Sequence, residues 1–535
     1  MMMRAVCSSS VAASAPSVHF HREKCAKCKG VLQKRSRIAD QPESREEATG
    51  RLIDLNCIIY FIMVKVKALS RSAASTERQN SGDLRRQHRN LDPDHHPMAR
   101  AREYTRAVTA AKIDRMFAKP LLGSLGTGHR DGVTATAVSR TALVPFVSGA
   151  ADGEIRIWDL ASRRGVAELA GGHSRAINGL VFDNGGQHFY SCSDDGLVRR
   201  WSILPTENTT NDESESSSNN NSKGSSRGKT TPHGPMETWR IAGTFKSIDH
   251  NRSSDYFATA SDSAVQIWSP DRSAPVQTHQ DLWGSDDTVG VVRYNPAERS
   301  LLAMCSADRG VGLFDTRLAS PLRKTVLSMK SNCLEWNPLE PMNFVVGNED
   351  YNAYGFDMRK LDRPLMIYKG HIGAVLAVSW SPTGREFVTG SYDRTVRIFP
   401  SRRGTSREMY HARRMQRVFT VNYSADNRYI VSGSDDTNLR LWKAQASAQI
   451  GQVTAREERA VRYRQALVKK YKHMPEVRKI HGARKTPRLI KKQTALALVG
   501  KESARRKHDN RVKHSKPGSI VAKGEREKTV VKEMD

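Results

Sequence analysis

The sequence predicts an all-β fold, a seven-bladed β-propeller, with a basic helical extension on its C-terminal side and a mostly irregular basic arm on its N-terminal side. The main observation is a spacing: at seven places an Asp is followed six residues later by a Trp or Phe that ends a short β-like run. Successive aspartates lie 42 to 46 residues apart, with one interval of 67. Positive charge is concentrated outside this repeating region, which indicates a folded centre with two arms.

The seven pairs define the blades, in chain order: Asp152/Trp158, Asp195/Trp201, Asp262/Trp268, Asp308/Phe314, Asp350/Phe356, Asp393/Phe399 and Asp436/Trp442. A period of about 40–45 residues is that of WD40 blades, which have four strands each. We assign residues 118–443 to the propeller and expect the run 121–125 to supply the outer strand of the last blade. The long interval contains a polar insert, 206–235, which we expect to be disordered or to project from the rim.

In WD40 repeats, which this region resembles, a turn Asp, a Gly-His histidine, a strand Ser or Thr and a strand-end Trp form a buried hydrogen-bond chain. The resemblance implies this chain in the first two blades: Asp152, His129, Ser148 and Trp158, then Asp195, His173, Ser191 and Trp201. His371 is the corresponding histidine of blade 6, but blades 3 to 5 lack the Gly-His and blades 4 to 6 have Phe for Trp. Their networks should be incomplete. Because these residues recur once per blade, we interpret them as structural, not as catalytic or metal-binding.

Charge and cysteine content limit the function. Of the formal net charge of +30, residues 1–120 carry +11, residues 121–442 carry +2 and residues 443–535 carry +17. The basic flanks favour contacts with RNA or DNA phosphates, with solvated tails as the alternative. Seven scattered cysteines argue for a reducing compartment. The longest apolar run is too short to span a bilayer. No phosphate-binding loop, HExxH or carboxylate cluster stands out, so we expect no catalysis, no cofactor and no metal.

Two helices are predicted in the basic C-terminal segment. Thr454 to Glu457 reads as a capping box, so a helix should run from about 455 to 473 and end before Pro475. A second helix should start at Thr486-Pro487 and stop before residue 517. Tyr463 and Tyr471 could stack on bases or pack on the propeller rim. Candidate RNA-contacting cations in these helices are Lys469, Lys470, Lys491, Lys492, Arg505, Arg506, Lys507, Arg511 and Lys513.

The chain as a whole resembles the WD-repeat-and-Sof-domain family. The pieces that carry the resemblance are VKVKALSR (64–71), RNLDPDHHP (89–97), REYTRA (102–107), AKIDRMFAKP (111–120) and the tail from LWKA (441–444) through TAREERAVRYRQALVKKYKHMPEVRKI to RVKHSKPGS (511–519). They define a basic N-terminal arm, 63–117, and a Sof-like domain, 444–530. Met63 looks like the family's usual start. Residues 1–62 are then a disordered or spurious leader, with a transit peptide as an alternative.

The leader also contains Cys25 and Cys28 with His19 and His21 nearby. A zinc site is the alternative to a disordered leader, but zinc needs four ligands held in place by a folded structure.

The resemblance implies a nuclear, nucleolar protein and a non-enzymatic scaffold of the U3 small nucleolar ribonucleoprotein, the small-subunit processome. It implies a role in pre-rRNA processing, small-subunit rRNA maturation and ribosome biogenesis. The expected partners are pre-rRNA, U3 small nucleolar RNA and other processome proteins, with the chain monomeric inside the large particle and not bound to a membrane.

A second hypothesis is a substrate receptor of a cullin-RING ubiquitin ligase. Such propellers dock through an aromatic-Asp-x-Arg sequence at the end of a blade, and two successive blades carry it, with Asp315 and Arg317 in one and Asp357 and Arg359 in the next. An exposed Arg at a fixed position can bind an acidic adaptor groove. The alternative is that the aromatic-Asp simply closes the blade.

Overall fold

The computed structural model describes residues 92, 95–169, 171–203, 234–262, 264–280, 288–318, 320–484, 486–516, 518–520 and 524–534. The chain divides into two compact units between His95 and His96, and nearly all described residues belong to the second. The leader 1–62, its cysteines and histidines, the arm up to residue 91 and all of the 206–235 insert except residues 234 and 235 lie outside the described residues. No helix in the described ranges is long and apolar enough to cross a membrane.

Seven antiparallel sheets form the described core, one sheet per predicted blade; six have four strands and the sheet of blade 4 has five. Blade 1 contains β2–β5: Val133–Val138, Pro145–Ala150, Ile155–Asp159 and Arg164–Leu169. Blade 2 contains β6–β9: Ile177–Phe182, His188–Ser193, Leu197–Ser202 and Glu237–Arg240. Blade 3 contains β10–β13: Phe245–His250, Phe257–Ser261, Ala264–Trp268 and Gln277–Gln280. Blade 4 contains β14–β17: Val289–Tyr294, Leu301–Ser306, Gly310–Asp315 and Arg323–Leu327.

The remaining blades follow the same order. Blade 5 contains β18–β21: Ser331–Trp336, Asn343–Asn348, Ala353–Asp357 and Met366–Tyr368. Blade 6 contains β22–β25: Val375–Trp380, Glu386–Ser391, Val396–Pro400 and Glu408–Tyr410. Blade 7 contains β26–β28 and, from the start of the chain, β1: Val418–Tyr423, Tyr429–Ser434, Leu439–Lys443 and Leu121–Ser124.

The ring closes through β1, which pairs antiparallel with β28 as the outer strand of blade 7. The inner strands of neighbouring blades contact one another around the ring, including β26 and β2. At that seam the Asn422 side-chain amide donates to the carbonyl oxygen of Thr136 at 2.8 Å. The predictions of a seven-bladed propeller and of this closing strand are confirmed. Both features follow from the sequence repeat, because each blade buries its faces only against neighbouring blades.

A five-residue strand extends blade 4. Strand β29 (Val530–Met534) pairs antiparallel with β17, the outer strand of that blade, from Lys324↔Met534 to Leu327↔Val530. The sheet therefore has five strands, and the last described residues of the chain cover its outer edge. An uncovered edge presents unpaired backbone groups, so this strand closes a site of unwanted strand pairing.

Four helices lie in the described parts of the two flanks: α1 (Ala99–Met116), α2 (Ala455–Lys470), α3 (Pro475–Gly482) and α4 (Arg488–Lys513). The predicted capping box of α2 is present, with the Thr454 hydroxyl accepting from the Glu457 N–H at 3.3 Å. Helix α3 differs from the prediction, which placed Pro475 only as a helix breaker. Pro475 is the first residue of α3, a position that needs no N–H donor. The prediction of a mostly irregular arm is wrong for residues Ala99–Met116, which form α1.

Candidate nucleic-acid and protein interfaces

Blade 2 contains the complete buried hydrogen-bond chain. His173 Nδ1 lies 2.9 Å from Asp195 Oδ2 and His173 Nε2 lies 2.7 Å from the Ser191 hydroxyl, which also accepts the indole N–H of Trp201 at 2.9 Å. Burial lowers the pKa of His173, so the imidazole is neutral at neutral pH. One N–H then faces the carboxylate and one lone pair faces the hydroxyl. The arrangement joins strands β7 and β8 to the turn between them and to the segment before β6.

Blade 1 departs from the expected chain at its acidic residue. Ser148 accepts from Trp158 at 2.7 Å and contacts His129 Nε2 at 2.5 Å, but His129 Nδ1 faces Glu154 Oε2 at 3.4 Å. The assignment of Asp152 to this chain is therefore wrong. Asp152 instead accepts the backbone N–H of Glu154 within its own turn. Glu154 is longer and is held beside the histidine by Arg156 at 2.9 Å, which explains the exchange.

Blade 6 keeps the histidine at its turn aspartate, and in blades 3, 4, 5 and 7 a different residue meets that aspartate. His371 of blade 6 lies 3.0 Å from Asp393 and 2.6 Å from Thr389 and faces Phe399, which has no N–H to complete the chain. Elsewhere the aspartate binds a side chain that the sequence analysis did not identify. The pairs are Asp262 with Thr244, Asp308 with Lys324, Asp350 with Tyr354 and Asp436 with Arg440.

The aromatic position is uniform across the ring. All seven strand-end aromatics, Trp158, Trp201, Trp268, Phe314, Phe356, Phe399 and Trp442, are at most 2% exposed. Trp268 and Trp442 also donate their indole N–H to a hydroxyl of their own blade, Thr259 and Ser432. These residues pack the interior, and no group of three or more metal-ligating side chains occurs among the described residues.

Helices from both flanks form one small core beside the propeller. Ala107, Ala110 and Ala111 of α1 pack against Leu467 and Val468 of α2 and against α3. Their small side chains allow close approach of the helices. Arg115 of α1 pairs with Glu408 of strand β25 at 3.1 Å, which joins this core to blade 6.

Two of the candidate residues at the C-terminal end of α2, Lys470 and the following Tyr471, contact this core. Tyr471 packs edge-on against Tyr104 of α1 and donates to Glu103 at 2.8 Å, so it lies neither on the propeller rim nor free for stacking. Lys470 is a candidate RNA contact that pairs with the same Glu103 at 2.7 Å. Tyr463 is half exposed and Lys469 is exposed.

Helix α4 has almost no contact with the rest of the described structure. Of its 26 residues only Ile490 is buried. Its candidate RNA contacts are all exposed: Lys491, Lys492, Arg505, Arg506, Lys507, Arg511 and Lys513. Within the described ranges only Arg505 has an ion-pair partner, Asp509 at 3.8 Å. A helix that buries almost none of its surface and carries unneutralised charge is suited to a charged partner outside the chain.

The two aromatic-Asp-x-Arg turns have nearly the same geometry. Phe314 and Phe356 are buried, while the side chains of Arg317 and Arg359 are 75% and 67% exposed. Each guanidinium donates to the aspartate two residues before it, at 2.7 Å from Arg317 to Asp315 and at 2.9 Å from Arg359 to Asp357. These bonds hold the pKa of both aspartates below its usual range. The turns thus present two fixed, exposed cations on adjacent blades.

The corresponding turn of blade 1 shows what the arginine adds. There Asp159 follows Trp158 and accepts the backbone N–H of Ala161 at 2.7 Å, with alanine in place of the arginine two residues after the aspartate. The aspartate alone is therefore enough to form the turn. Arg317 and Arg359 add a charged group beyond that structural need. Blades 4 and 5 also touch here, since the Arg323 guanidinium donates to the Arg359 carbonyl oxygen at 3.1 Å.

The family models that match this chain divide it into the same two parts, the propeller and the C-terminal segment. The family model described as Sof1-like domain matches residues 444–530. The model described as WD domain, G-beta repeat, matches residues 120–159, 166–202, 362–399 and 409–443. Blades 3 and 4 and the first three strands of blade 5 fall outside these matches, and all three blades lack the Gly-His histidine.

Whole-chain relatives give a broader match. The protein named DDB1- and CUL4-associated factor 13 of Danio rerio is 40% identical over 472 residues, 88% of this chain and 100% of that relative. The Homo sapiens protein of the same name is 41% identical over 468 residues, 88% of this chain and 99% of that relative. Protein SOF1 of Saccharomyces cerevisiae is 39% identical over 480 residues, 88% of this chain and 94% of that relative. The chain therefore belongs to the WD-repeat-and-Sof-domain family, as a WD40 propeller with a Sof1-like C-terminal domain.

Proposed function

We propose that the protein is a non-enzymatic scaffold of the U3 small nucleolar ribonucleoprotein, the small-subunit processome, and that it acts in pre-rRNA processing and small-subunit rRNA maturation during ribosome biogenesis. Its partners are pre-rRNA, U3 small nucleolar RNA and other processome proteins, and it acts in the nucleolus as one copy within the particle. Membership of the family and similarity to Protein SOF1 support this role.

The observation that carries the proposal is the surface of α4. The helix is 26 residues long with a single buried side chain, and its exposed cations lie on most of its circumference. A helix that stabilised the propeller would bury an apolar stripe. Cations that lack acidic partners are available to RNA phosphates, where they release counterions on binding.

Neutralising α4 tests the RNA contact. Six cations are replaced together, as K491Q/K492Q/R506Q/K507Q/R511Q/K513Q; Arg505 is kept because it pairs with Asp509. Gln keeps helix propensity close to that of Lys and Arg. Binding of a labelled pre-rRNA fragment is measured between 50 and 200 mM salt. We expect at least a tenfold loss of affinity, and a salt slope smaller by about 0.7–0.9 for each phosphate contact removed.

The matched control removes exposed cations from outer parts of the propeller blades, as R164Q/R240Q/R272Q. It should leave both affinity and salt slope unchanged. Equal losses in the control and the α4 variant would show a nonspecific charge effect and would contradict the proposed contact. Deleting the whole tail is a poorer test, because it also exposes the alanine face of α1 and the edge of blade 4.

Localisation tests the cellular part of the proposal. The full chain and a version starting at Met63 are each fused to a fluorescent protein. We expect both in nucleoli, because the basic determinants lie after Met63. Entry of the full chain into mitochondria or plastids would show that residues 1–62 are a targeting sequence. Absence of both versions from nucleoli would contradict the ribosome-assembly role.

A second candidate function is that of a cullin-RING ligase substrate receptor. The observation that favours it is the pair of exposed arginines, Arg317 and Arg359, held in the same geometry on adjacent blades. The relatives named DDB1- and CUL4-associated factor 13 support an adaptor and cullin as the partners.

The adaptor contact is tested with R317A/R359A, in which Asp315 and Asp357 keep their turns. We expect loss of DDB1 and CUL4 capture from cell extract, with pre-rRNA binding unchanged. R164A/R240A is the control for lost surface charge. Capture that R317A/R359A does not reduce would exclude docking through these two turns.

A further inference from the structure

The central channel of the propeller opens at one end into a cavity of about 380 Å³. Its walls are the ends of the seven inner strands, β2, β6, β10, β14, β18, β22 and β26, with the turns that follow them. This volume lies in the range of pockets that hold small molecules, about 300–1,000 Å³. It is too small for an RNA helix or a folded partner. The five charged residues that line it come from four blades: Arg140, Asp249, Arg252, Arg293 and Glu335.

The two acidic residues of the cavity are already used within the propeller. Asp249 accepts the backbone N–H of Tyr294 at 2.7 Å, and Glu335 accepts the backbone N–H of Trp380 at 2.9 Å. Each of these bonds joins one blade to the next. Burial raises the pKa of Glu335 to about 8, so this carboxyl is mostly protonated at neutral pH. The lining therefore carries an excess of positive charge.

The three arginines of the cavity have no partner in the described structure that cancels their charge. Arg293 donates to the backbone carbonyl of Ile248 at 2.9 Å, which fixes its guanidinium without cancelling its charge. Arg140 and Arg252 are exposed and have neither a hydrogen bond nor an ion pair among the described residues. Both side chains line the same cavity, where partial desolvation and then the like charge of Arg140 lower the pKa of Arg252, so the two charges repel. An anion between them would remove that repulsion.

We propose that this channel mouth binds a small anion carrying two or more phosphate groups, held by Arg140, Arg252 and Arg293. Guanidinium groups bind phosphate oxygens through two parallel hydrogen bonds, and three of them from three blades suit several phosphates on one compact molecule. Asn422 of blade 7, the neighbour of blade 1, lines the same cavity. A ligand there would contact several blades at once. This site is separate from the RNA contact proposed for α4.

The experiment uses inositol hexakisphosphate and pyrophosphate as probes and calorimetric titration of the full chain. To exclude binding to α4, all variants are made in the six-Gln α4 background. We expect that background to keep its affinity for inositol hexakisphosphate, and R140A/R252A to lower it at least tenfold. Arg240 lies on the outer strand of blade 2, so R240A should change nothing. Both channel arginines are exposed, so the melting temperature should stay the same in R140A/R252A.

Three outcomes would overturn the proposal. The first is that R140A/R252A binds the probes as tightly as its parent. The second is that the six-Gln background alone has lost all binding, which would place the anion on α4. The third is that R140A/R252A, made without the α4 changes, loses pre-rRNA affinity but not probe affinity, which would make the channel mouth an RNA contact. Failure of the α4 proposal leaves this test intact, because it is done without the α4 cations.

Discussion

The buried cations of the propeller blades and the cations of α4 occupy opposite environments. Lys324 is 4% exposed and meets Asp308, and Arg440 pairs with Asp436 inside blade 7. The cations of α4 are exposed, and in the described structure all but one lack an acidic partner. A buried charge needs its partner to keep the fold, whereas an exposed and unpaired charge contributes little to stability. The paired cations inside the blades therefore serve folding, and the unpaired cations of α4 serve binding.

The strongest test of this division is a large truncation in the propeller. Trp158→Ala removes a fully buried indole and its bond to Ser148, and we expect the free energy of unfolding to fall by about 3–5 kcal/mol. Leu496→Ala in α4 is the matched change, because Leu496 is 72% exposed. It should cost less than about 0.5 kcal/mol. Urea unfolding measures both, and similar losses would mean that α4 is packed in solution.

A smaller effect is expected from pH. Burial lowers the pKa of His129 from 6.5 to about 4, so the folded state binds fewer protons than the unfolded chain between these pH values. Stability should therefore fall as pH decreases, by about 2 kcal/mol from this residue between pH 7 and pH 5. The variant His129→Gln should be less stable than the unchanged chain at pH 7, but it should lack the pH-dependent loss of stability that His129 causes. Parallel losses in the two proteins between pH 7 and pH 5 would show that His129 is not buried in the neutral form.

The smallest effect should come from the α4 cations themselves. The six-Gln variant of α4 should unfold within about 0.5 kcal/mol of the unchanged chain at 150 mM salt, while its RNA affinity falls. The measurement is a thermal and urea unfolding series run beside the RNA titration. A loss of several kcal/mol would place these cations in the fold and would remove the distinction between the two regions.

The sequence was sufficient for features that repeat or that follow from local rules. Seven aspartates at one period located the blades, and the capping box of α2 was visible because Thr454 and Glu457 are three residues apart. The closing strand β1 followed from the need to cover an edge. In each case the signal is a spacing along the chain.

Features that depend on contacts between distant segments were not predictable in this way. Glu154 takes the place of Asp152 because Arg156 holds it beside His129, which no spacing shows. Strand β29 is only five residues long and pairs with a strand about 200 residues earlier. The channel arginines come from three blades and meet only when the ring is closed. Only α3 carried a local signal that could have been read, the proline at its first position.

The pairing of β1 with β28 has a consequence for the synthesis of the protein. Leu121 pairs with Trp442, so the first strand of the ring is made roughly 320 residues before its partner. At about 5–20 residues per second, it must wait on the order of 15–60 s on the ribosome. Blade 7 therefore cannot be completed until nearly the whole ring has been translated, and β1 stays unpaired for that time. Premature release or a long pause before residue 439 would leave a chain with two open ends, a form prone to join another copy.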